Sequence, residues 1–385
     1  MEVLFQGLLS LSWQSVIMMV VGGALILLAI KKNYEPMLLL PIGFGAILVN
    51  LPLAAVWEFG GEPGVLQIFH IVGIATEIFP VLIFVAVGAM IDFSVLIKNP
   101  KMLFLGAAAQ FGIFATIVVV VMMSGAFYRF FEIEIDLKMA ASIGIIGTAD
   151  GPTSILVANR FAPVLVGPIA VAAYSYMALV PIIQPPIIKA LTTKKERLMR
   201  MDYSDRKISK TALIMFPIIT TIVAGILAPV AVPLVGLLMF GNLIKVSGVL
   251  ERLSNAAQNE LANLVTLLLG ITIGSTMHYD QFLRPLTLMV LALGLAAFMF
   301  NTVGGIIFVK VLNLFSKNKI NPMIGAAGIS AFPMSARLVQ KMAAEEDPTN
   351  FILMPAVSAN VAGQVASAIA GGMVLAIVPQ LLQLI

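Results

Sequence analysis

Ile143-Gly-Ile-Ile-Gly-Thr-Ala-Asp-Gly-Pro-Thr-Ser154 returns in altered form 181 positions later as Ile324-Gly-Ala-Ala-Gly-Ile-Ser-Ala-Phe-Pro-Met-Ser335. Both stretches are broken by glycine and proline, and both sit in long apolar surroundings. Proline removes an amide donor and glycine loosens the backbone, so neither stretch runs as an unbroken helix. In a membrane protein, interrupted segments at matching places in two halves point to an ion or substrate site near the midplane.

Composition supplies the membrane. With 60% hydrophobic residues, 11% charged residues and a mean hydropathy of +1.04 over 385 residues, the chain is a polytopic membrane protein. It has no cysteine, which excludes disulfides, thiolate catalysis and thiolate metal sites. His70 and His278 are its two histidines, too few for a histidine-rich metal centre. Chemistry falls to oxygen, amide and guanidinium groups. The net charge of +4 reflects loop bias rather than nucleic-acid binding. Glu2-Val-Leu-Phe-Gln-Gly7 reads as a protease site left by an expression tag, so residues 1–7 are set aside and the natural chain is expected to start near Leu8.

Apolar runs of the roughly 20 residues needed to span a bilayer fall near 13–30, 36–53, 65–91, 102–125, 164–188, 211–228, 229–244, 261–277, 286–309 and 351–378. The stretch Lys189 to Lys210 carries eight Lys/Arg against Glu196, Asp202 and Asp205, which places it in the cytoplasm. From that anchor, the loops with Lys31/Lys32, Lys98/Lys101, Lys245/Arg252 and Lys310/Lys317/Lys319 fall inside, and the acidic loop with Glu132, Glu134 and Asp136 falls outside. That pattern requires 139–158 and 320–337 to enter and leave on one side, as re-entrant hairpins.

The likeness extends beyond the hairpins. Val87-Gly-Ala-Met-Ile-Asp-Phe93 matches Ile273-Gly-Ser-Thr-Met-His-Tyr279, and Ala170-Val-Ala-Ala-Tyr174 matches Ala356-Val-Ser-Ala-Asn360. Five crossings per half is an odd number, so the halves run in opposite directions. The expected fold is an all-α polytopic membrane protein of two inverted-topology repeats, with about ten transmembrane helices plus two re-entrant hairpins. Residues 8–188 form the first repeat, 189–210 a basic cytoplasmic linker and 211–385 the second repeat.

Asp150 is the leading candidate for chemistry. Gly147, Gly151 and Pro152 leave carbonyls without helical partners beside its carboxylate, a setting for a small hard cation. The alternative is a helix cap bonded to nearby amides. In the second hairpin Ala331 takes the place of Asp150, Ser330 stands opposite Ala149, and Arg337 replaces Leu156. If the hairpin tips meet, Asp150 approaches Ser330. Arg337 offers a planar fork for a carboxylate, Asp150 or a substrate; its alternative role is a cytoplasmic anchor. Tyr174, Tyr176 and Asn360 follow the hairpins at similar places, as a phenol for proton handling and an amide oxygen for sodium, or as helix-packing groups. Glu77 and Asp92 read as ends of a span, with Glu77 a secondary candidate for proton handling. The methionines read as apolar filling, and Gly22-Gly23 and Gly304-Gly305 as close-packing sites.

Gly147-Thr-Ala-Asp-Gly-Pro-Thr153, Asn321-Pro-Met-Ile-Gly-Ala-Ala-Gly-Ile-Ser330, Met334-Ser-Ala-Arg337 and Asn360-Val-Ala-Gly363 together resemble the β subunit of the sodium-translocating biotin-dependent decarboxylases, over essentially the whole chain after the tag. The resemblance implies a multi-pass subunit of the bacterial cytoplasmic membrane. Such a subunit takes carboxybiotin from a biotin carrier and carboxyltransferase partner, releases CO2 and exports sodium while consuming a proton. It also implies a homotrimer and a small membrane subunit. Its functional positions match Asp150, Tyr176, Asn321, Gly325, Ser330 and Arg337, with Asn360 as a further sodium ligand. Asn321 and Gly325 come from the resemblance alone. Under it, Asp150, Tyr176, Arg337 and Ser330 are catalytic, Arg337, Ser330, Asn321 and Gly325 bind carboxybiotin, and Asp150, Asn360 and Ser330 bind sodium. The competing class is a sodium-coupled carboxylate transporter without covalent chemistry, which the same architecture would serve. A passive channel is disfavoured because no continuous polar face runs along any span.

Overall fold

A computed structural model describes residues 6–7, 9–201 and 207–384. Residues 2–5 of the stretch read as a tag remnant, Leu8, near which the natural chain is expected to start, and Asp202 and Asp205 of the basic 189–210 stretch lie outside the described residues.

Among the described residues, seven helices are long and apolar enough to cross a membrane: Trp13–Lys32, Met102–Phe131, Lys210–Leu227, Pro229–Ser247, Glu251–Ser275, Pro285–Phe315 and Leu353–Leu384. Two helix pairs are long and apolar enough only when taken together, each bent at a short break: Val65–Ala75 with Ile78–Met90 at 62° and Pro163–Ala178 with Val180–Leu191 at 67°. Pro36–Asn50 is a shorter apolar helix, because the chain turns extended at Leu51 rather than continuing to residue 53 as its hydropathy predicts. A two-residue antiparallel ribbon, Glu58–Phe59 with Glu62–Pro63, follows it.

Both interrupted words are short helices meeting at a turn. In the first, Leu137–Gly144 tightens into a 3-10 turn at Ile145–Thr148, reverses at left-handed Ala149, and leaves as Gly151–Phe161. In the second, Met323–Ala326 and Met334–Glu346 flank an irregular tip. The far end of the first hairpin grips the broken 65–90 span: Asn159 Nδ2 donates to Ile74 O at 2.8 Å, and Arg160 pairs with Glu77 at 3.4 Å. Glu77 is thus engaged in an ion pair, and Asp92 accepts from the Ser94 amide.

Close helix approach is built on glycine. A Cβ on Gly45 would lie 2.3 Å from Ile271 O and one on Gly274 2.1 Å from Ile42 O, so Pro36–Asn50 and Ala262–Ser275 touch backbone to backbone. Gly88 and Gly241 make the equivalent contact between Ile78–Met90 and Val232–Ser247, at 1.8 Å from Leu238 O and 2.0 Å from Val85 O. The hairpins, Val166–Ala178 and the long Leu353–Leu384 helix form the buried centre around Ile145, Ile146, Ala149, Ile324, Ile329 and Ala359. In the linker, Arg197 Nε meets Glu346 Oε1 at 2.6 Å and Arg200 Nη2 meets Asp347 Oδ2 at 2.9 Å, which straps it to the second hairpin.

Candidate functional site

The hairpin tips touch. The Ser330 amide donates to Thr148 O at 3.1 Å, so the one carboxylate of the first tip stands beside the one hydroxyl of the second. Asp150 is 5% exposed and Ser330 2%. A third residue joins them: Ser367 of Leu353–Leu384 donates to Asp150 Oδ2 at 2.6 Å, and its Oγ lies 3.1 Å from Ser330 Oγ. The Ser330 hydroxyl stands within reach of the Asp150 carboxylate as well as of Ser367, so three hydroxyls, those of Thr153, Ser330 and Ser367, surround that carboxylate.

Asp150 also caps its own helix. Thr153 Oγ1 donates to Oδ2 at 2.8 Å and the Thr153 amide reaches Oδ1 at 3.5 Å. Pro152 in the first helical turn costs nothing there, because that amide has no helical partner in any case. Capping and site membership are therefore compatible: Oδ2 takes the Thr153 and Ser367 hydroxyls, while the long amide contact leaves Oδ1 with acceptor capacity.

Asp150 and Ser330 line a cavity of about 230 Å³ together with Tyr174, Gln364, Phe332 and Gly151. The Tyr174 ring lies on Gly151, where a Cβ would be 2.1 Å from Cζ, and its buried hydroxyl has no hydrogen-bond partner among the described residues. Gln258, Asn263, Thr266 and Glu35 line it too. A second cavity of about 540 Å³ is lined by Arg337, Lys341, Lys189, Tyr34 and Glu345, again with Glu35. Arg337 is exposed there, with no carboxylate within 4 Å among the described residues.

Asn360 does not line the first cavity. Its Nδ2 donates to Ile329 O at 2.7 Å in the second tip, and its fully buried Oδ1 has no partner. An orphaned buried carbonyl beside the hairpin tip costs free energy unless something positive or donating meets it. Among the described residues no three His, Cys, Asp or Glu side chains cluster. A cation here would meet one carboxylate among neutral oxygens, a donor set matched in charge to a monovalent hard ion.

A family profile described as Na+-transporting oxaloacetate decarboxylase beta subunit matches residues 14–378. The chain belongs to this family. It is 45% identical to the oxaloacetate decarboxylase beta chain 2 of Salmonella typhi, with 96% of each chain covered. It is 46% identical to the methylmalonyl-CoA decarboxylase subunit beta of Propionigenium modestum, again over 96% of each. The glutaconyl-CoA decarboxylase subunit beta of Acidaminococcus fermentans is 48% identical, covering 97% of this chain and 95% of the relative.

Three family-implied residues lie elsewhere than a single pocket would have them. Tyr176 turns away from Asp150 and donates its hydroxyl to Leu291 O on Pro285–Phe315, so Tyr174 is the phenol that faces the cavity. Asn321 holds the strap: its Nδ2 donates to Arg197 O at 3.1 Å and Met199 O at 2.9 Å. Gly325 packs on Gly305 of Pro285–Phe315, where a Cβ would be 2.1 Å from the Gly305 carbonyl. Neither lines either cavity, because linker and helix occupy the space beside them. Ser330 and Arg337 line different cavities.

Thr153, Gln364 and Ser367 join the site without standing out in the sequence. Asn360, Gln364 and Ser367 stand at i, i+4 and i+7, one face of a helix, and that spacing is the signal for them.

Proposed function

We propose that this chain is the membrane subunit of a sodium-pumping decarboxylase, which decarboxylates carboxybiotin and couples the release of CO2 to sodium export with proton consumption. The observation that carries this reading is the meeting of Asp150 with Ser330 and Ser367 beside a cavity that shares one lining residue, Glu35, with an Arg337-lined vestibule.

The supporting architecture is two inverted repeats. The Gly45–Gly274 and Gly88–Gly241 contacts exchange with one another when the halves are swapped, as a pseudo-twofold requires. Both vestibule and strap lie at the lysine-rich end, which the charge rule assigns to the cytoplasm. In this reading the seven long helices, the two bent pairs and Pro36–Asn50 among the described residues make ten crossings, and the two hairpins re-enter on one side. Carboxybiotin arrives on a partner's carrier domain at this end; a small membrane subunit and a trimer complete the assembly proposed from the family. The setting is a bacterial cytoplasmic membrane.

The chemistry divides between the cavities. In the vestibule the Arg337 guanidinium presents paired N–H donors to the carboxylate of carboxybiotin. Loss of CO2 leaves an electron pair on the ureido nitrogen, which takes up a proton. Asp150 is the exchange point: as a carboxylate it holds sodium with oxygens from Ser330 and, after a small rearrangement, the free Asn360 carbonyl. As an acid it lets sodium go outward and holds the proton destined for the ureido nitrogen. Tyr174 stands beside that proton. Tyr176 locks Val166–Ala178 onto Pro285–Phe315 through Leu291 and joins the relay once that bond opens. Asn321 and Gly325 act by fixing the second hairpin. Repeat movement around the hairpins supplies alternating access.

Replacing Asp150 with Asn keeps the shape and removes the charge. It is expected to abolish decarboxylation and sodium transport together in the reconstituted complex. Coupled activity in that variant would refute the scheme.

A further inference from the structure

Glu35 alone among the lining residues belongs to both cavities. It stands between Trp13–Lys32 and Pro36–Asn50 with φ 35° and ψ 63°, a left-handed conformation that a residue with a side chain adopts only under constraint. Its carboxylate caps no helix and makes no hydrogen bond or ion pair within 4 Å among the described residues. Burial pushes its carboxyl above the usual carboxylate range, and the charge of Arg337 pulls it back. Glycine would hold this left-handed turn with less strain, so the backbone alone does not account for a half-buried carboxylate here.

The charges around it supply a reason. A cation heading for Asp150 from this end passes Arg337, Lys341 and Lys189, against Glu345. Clefts lined by one sign of charge change the local concentration of an ion by one or more orders of magnitude. The cavity that Glu35 shares with Asp150 is also lined by Gln258, Asn263 and Thr266, on the helix that contains the π-helical turn Ala257–Leu261. Such turns re-aim side chains and recur at functional sites.

We propose that Glu35 is the access carboxylate for sodium. It gives the ion a negative oxygen where the basic vestibule meets the inner cavity, offsets the field of that vestibule, and hands the ion to the amide and hydroxyl oxygens that share the inner cavity with Asp150. This division lets one end of the protein admit an anionic substrate by Arg337 and a cation by Glu35, side by side. The inference rests on the reading that sodium binds at Asp150.

Because the chain has no cysteine, the field itself is measurable. Met90 lines the first cavity and is 46% exposed, so Met90→Cys gives a thiol reporter there. Its modification rate by cationic and by anionic methanethiosulfonates of equal size is compared with Glu35, Gln or Asp at position 35. The cationic-to-anionic ratio should fall about tenfold for Glu35→Gln and stay near the parent's for Glu35→Asp. In the reconstituted complex with Met90 restored, Glu35→Gln should raise half-saturating sodium more than it lowers the maximal rate, and raised choline chloride should narrow the gap. An unchanged ratio, or unchanged half-saturation despite a changed ratio, would overturn the inference alone. So would Glu35→Asp being as defective as Glu35→Gln, which would make the role one of shape. Absence of sodium-dependent turnover in the parent protein would overturn the underlying reading as well.

Discussion

Two tyrosines on one helix should respond oppositely to loss of a single oxygen. Tyr174 is 2% exposed and its hydroxyl is buried without a partner, whereas the Tyr176 hydroxyl donates to Leu291 O. A buried unsatisfied hydroxyl costs about 1–3 kcal/mol, while a made hydrogen bond contributes about 0.5–1.5 kcal/mol net. Tyr174→Phe should therefore stabilise the protein by about 1–3 kcal/mol and Tyr176→Phe destabilise it by about 0.5–1.5 kcal/mol. The two variants then differ by about 1.5–4.5 kcal/mol on the same scale. Thermal unfolding of parent and both variants in one mild detergent gives the order directly: Tyr174→Phe highest, parent between, Tyr176→Phe lowest. Sodium export should move against stability at Tyr174, since the hydroxyl removed is the one beside Asp150, the trade expected where a site stores unfavourable contacts. A lower midpoint for Tyr174→Phe than for the parent would refute the reasoning, because it would mean that the phenol has a partner in the folded state.

Other perturbations probe separate links. Gly325→Ala would place a methyl 2.1 Å from the Gly305 carbonyl; overpacking of this kind costs about 1–3 kcal/mol, so the thermal midpoint should drop, and an unmoved midpoint would contradict the packing. Ser330→Ala removes a hydroxyl beside Ser367 and Asp150 that is also a candidate sodium oxygen, and half-saturating sodium should rise about tenfold, equivalent to one hydrogen bond; unchanged sodium dependence would remove Ser330 from the ligand set. Asp347 has its carboxyl lowered from 3.8 to about 2, first by the Thr349 hydroxyl, then by the Thr349 amide and Arg200. Its contribution to the strap is present above pH 3.8 and is lost as pH falls through about 2. Pepsin cleavage within 192–201 should increase over that window, and Asp347→Asn should be cleaved readily at its upper end; pH-independent cleavage would contradict the clamp.

Features under the control of local pattern are legible in the amino-acid sequence. The glycine and proline words mark two interrupted hairpins, and their alignment puts Ser330 opposite Ala149, next to Asp150, which is where the tips meet. The choice between Tyr174 and Tyr176 is beyond pattern: residues two apart on a helix point about 200° from each other, and which direction faces Asp150 depends on the helix's rotation against Pro285–Phe315. Asn321 and Gly325 lie outside reach for a different reason. What occupies them, the strap carbonyls at Arg197 and Met199 and the Gly305 backbone, is set by tertiary packing and leaves no periodic trace. Ser367 is hidden in a long apolar helix, where a serine reads as packing until its i+7 spacing from Asn360 is noticed. Pro36–Asn50 falls short of its expected length because hydropathy does not register the extended turn at Leu51.

The central claim is that Asp150 ties decarboxylation to sodium movement. Its most direct test reconstitutes the protein with its partner subunits in sealed vesicles and follows CO2 release from carboxybiotin and radioactive sodium together, with and without sodium, for the parent and for Asp150→Asn. Sodium-dependent CO2 release with matching sodium movement is expected in the parent, and loss of both in the variant. Sodium movement driven by a dicarboxylate gradient, with carboxybiotin left intact, would contradict it and make the protein a secondary carboxylate transporter.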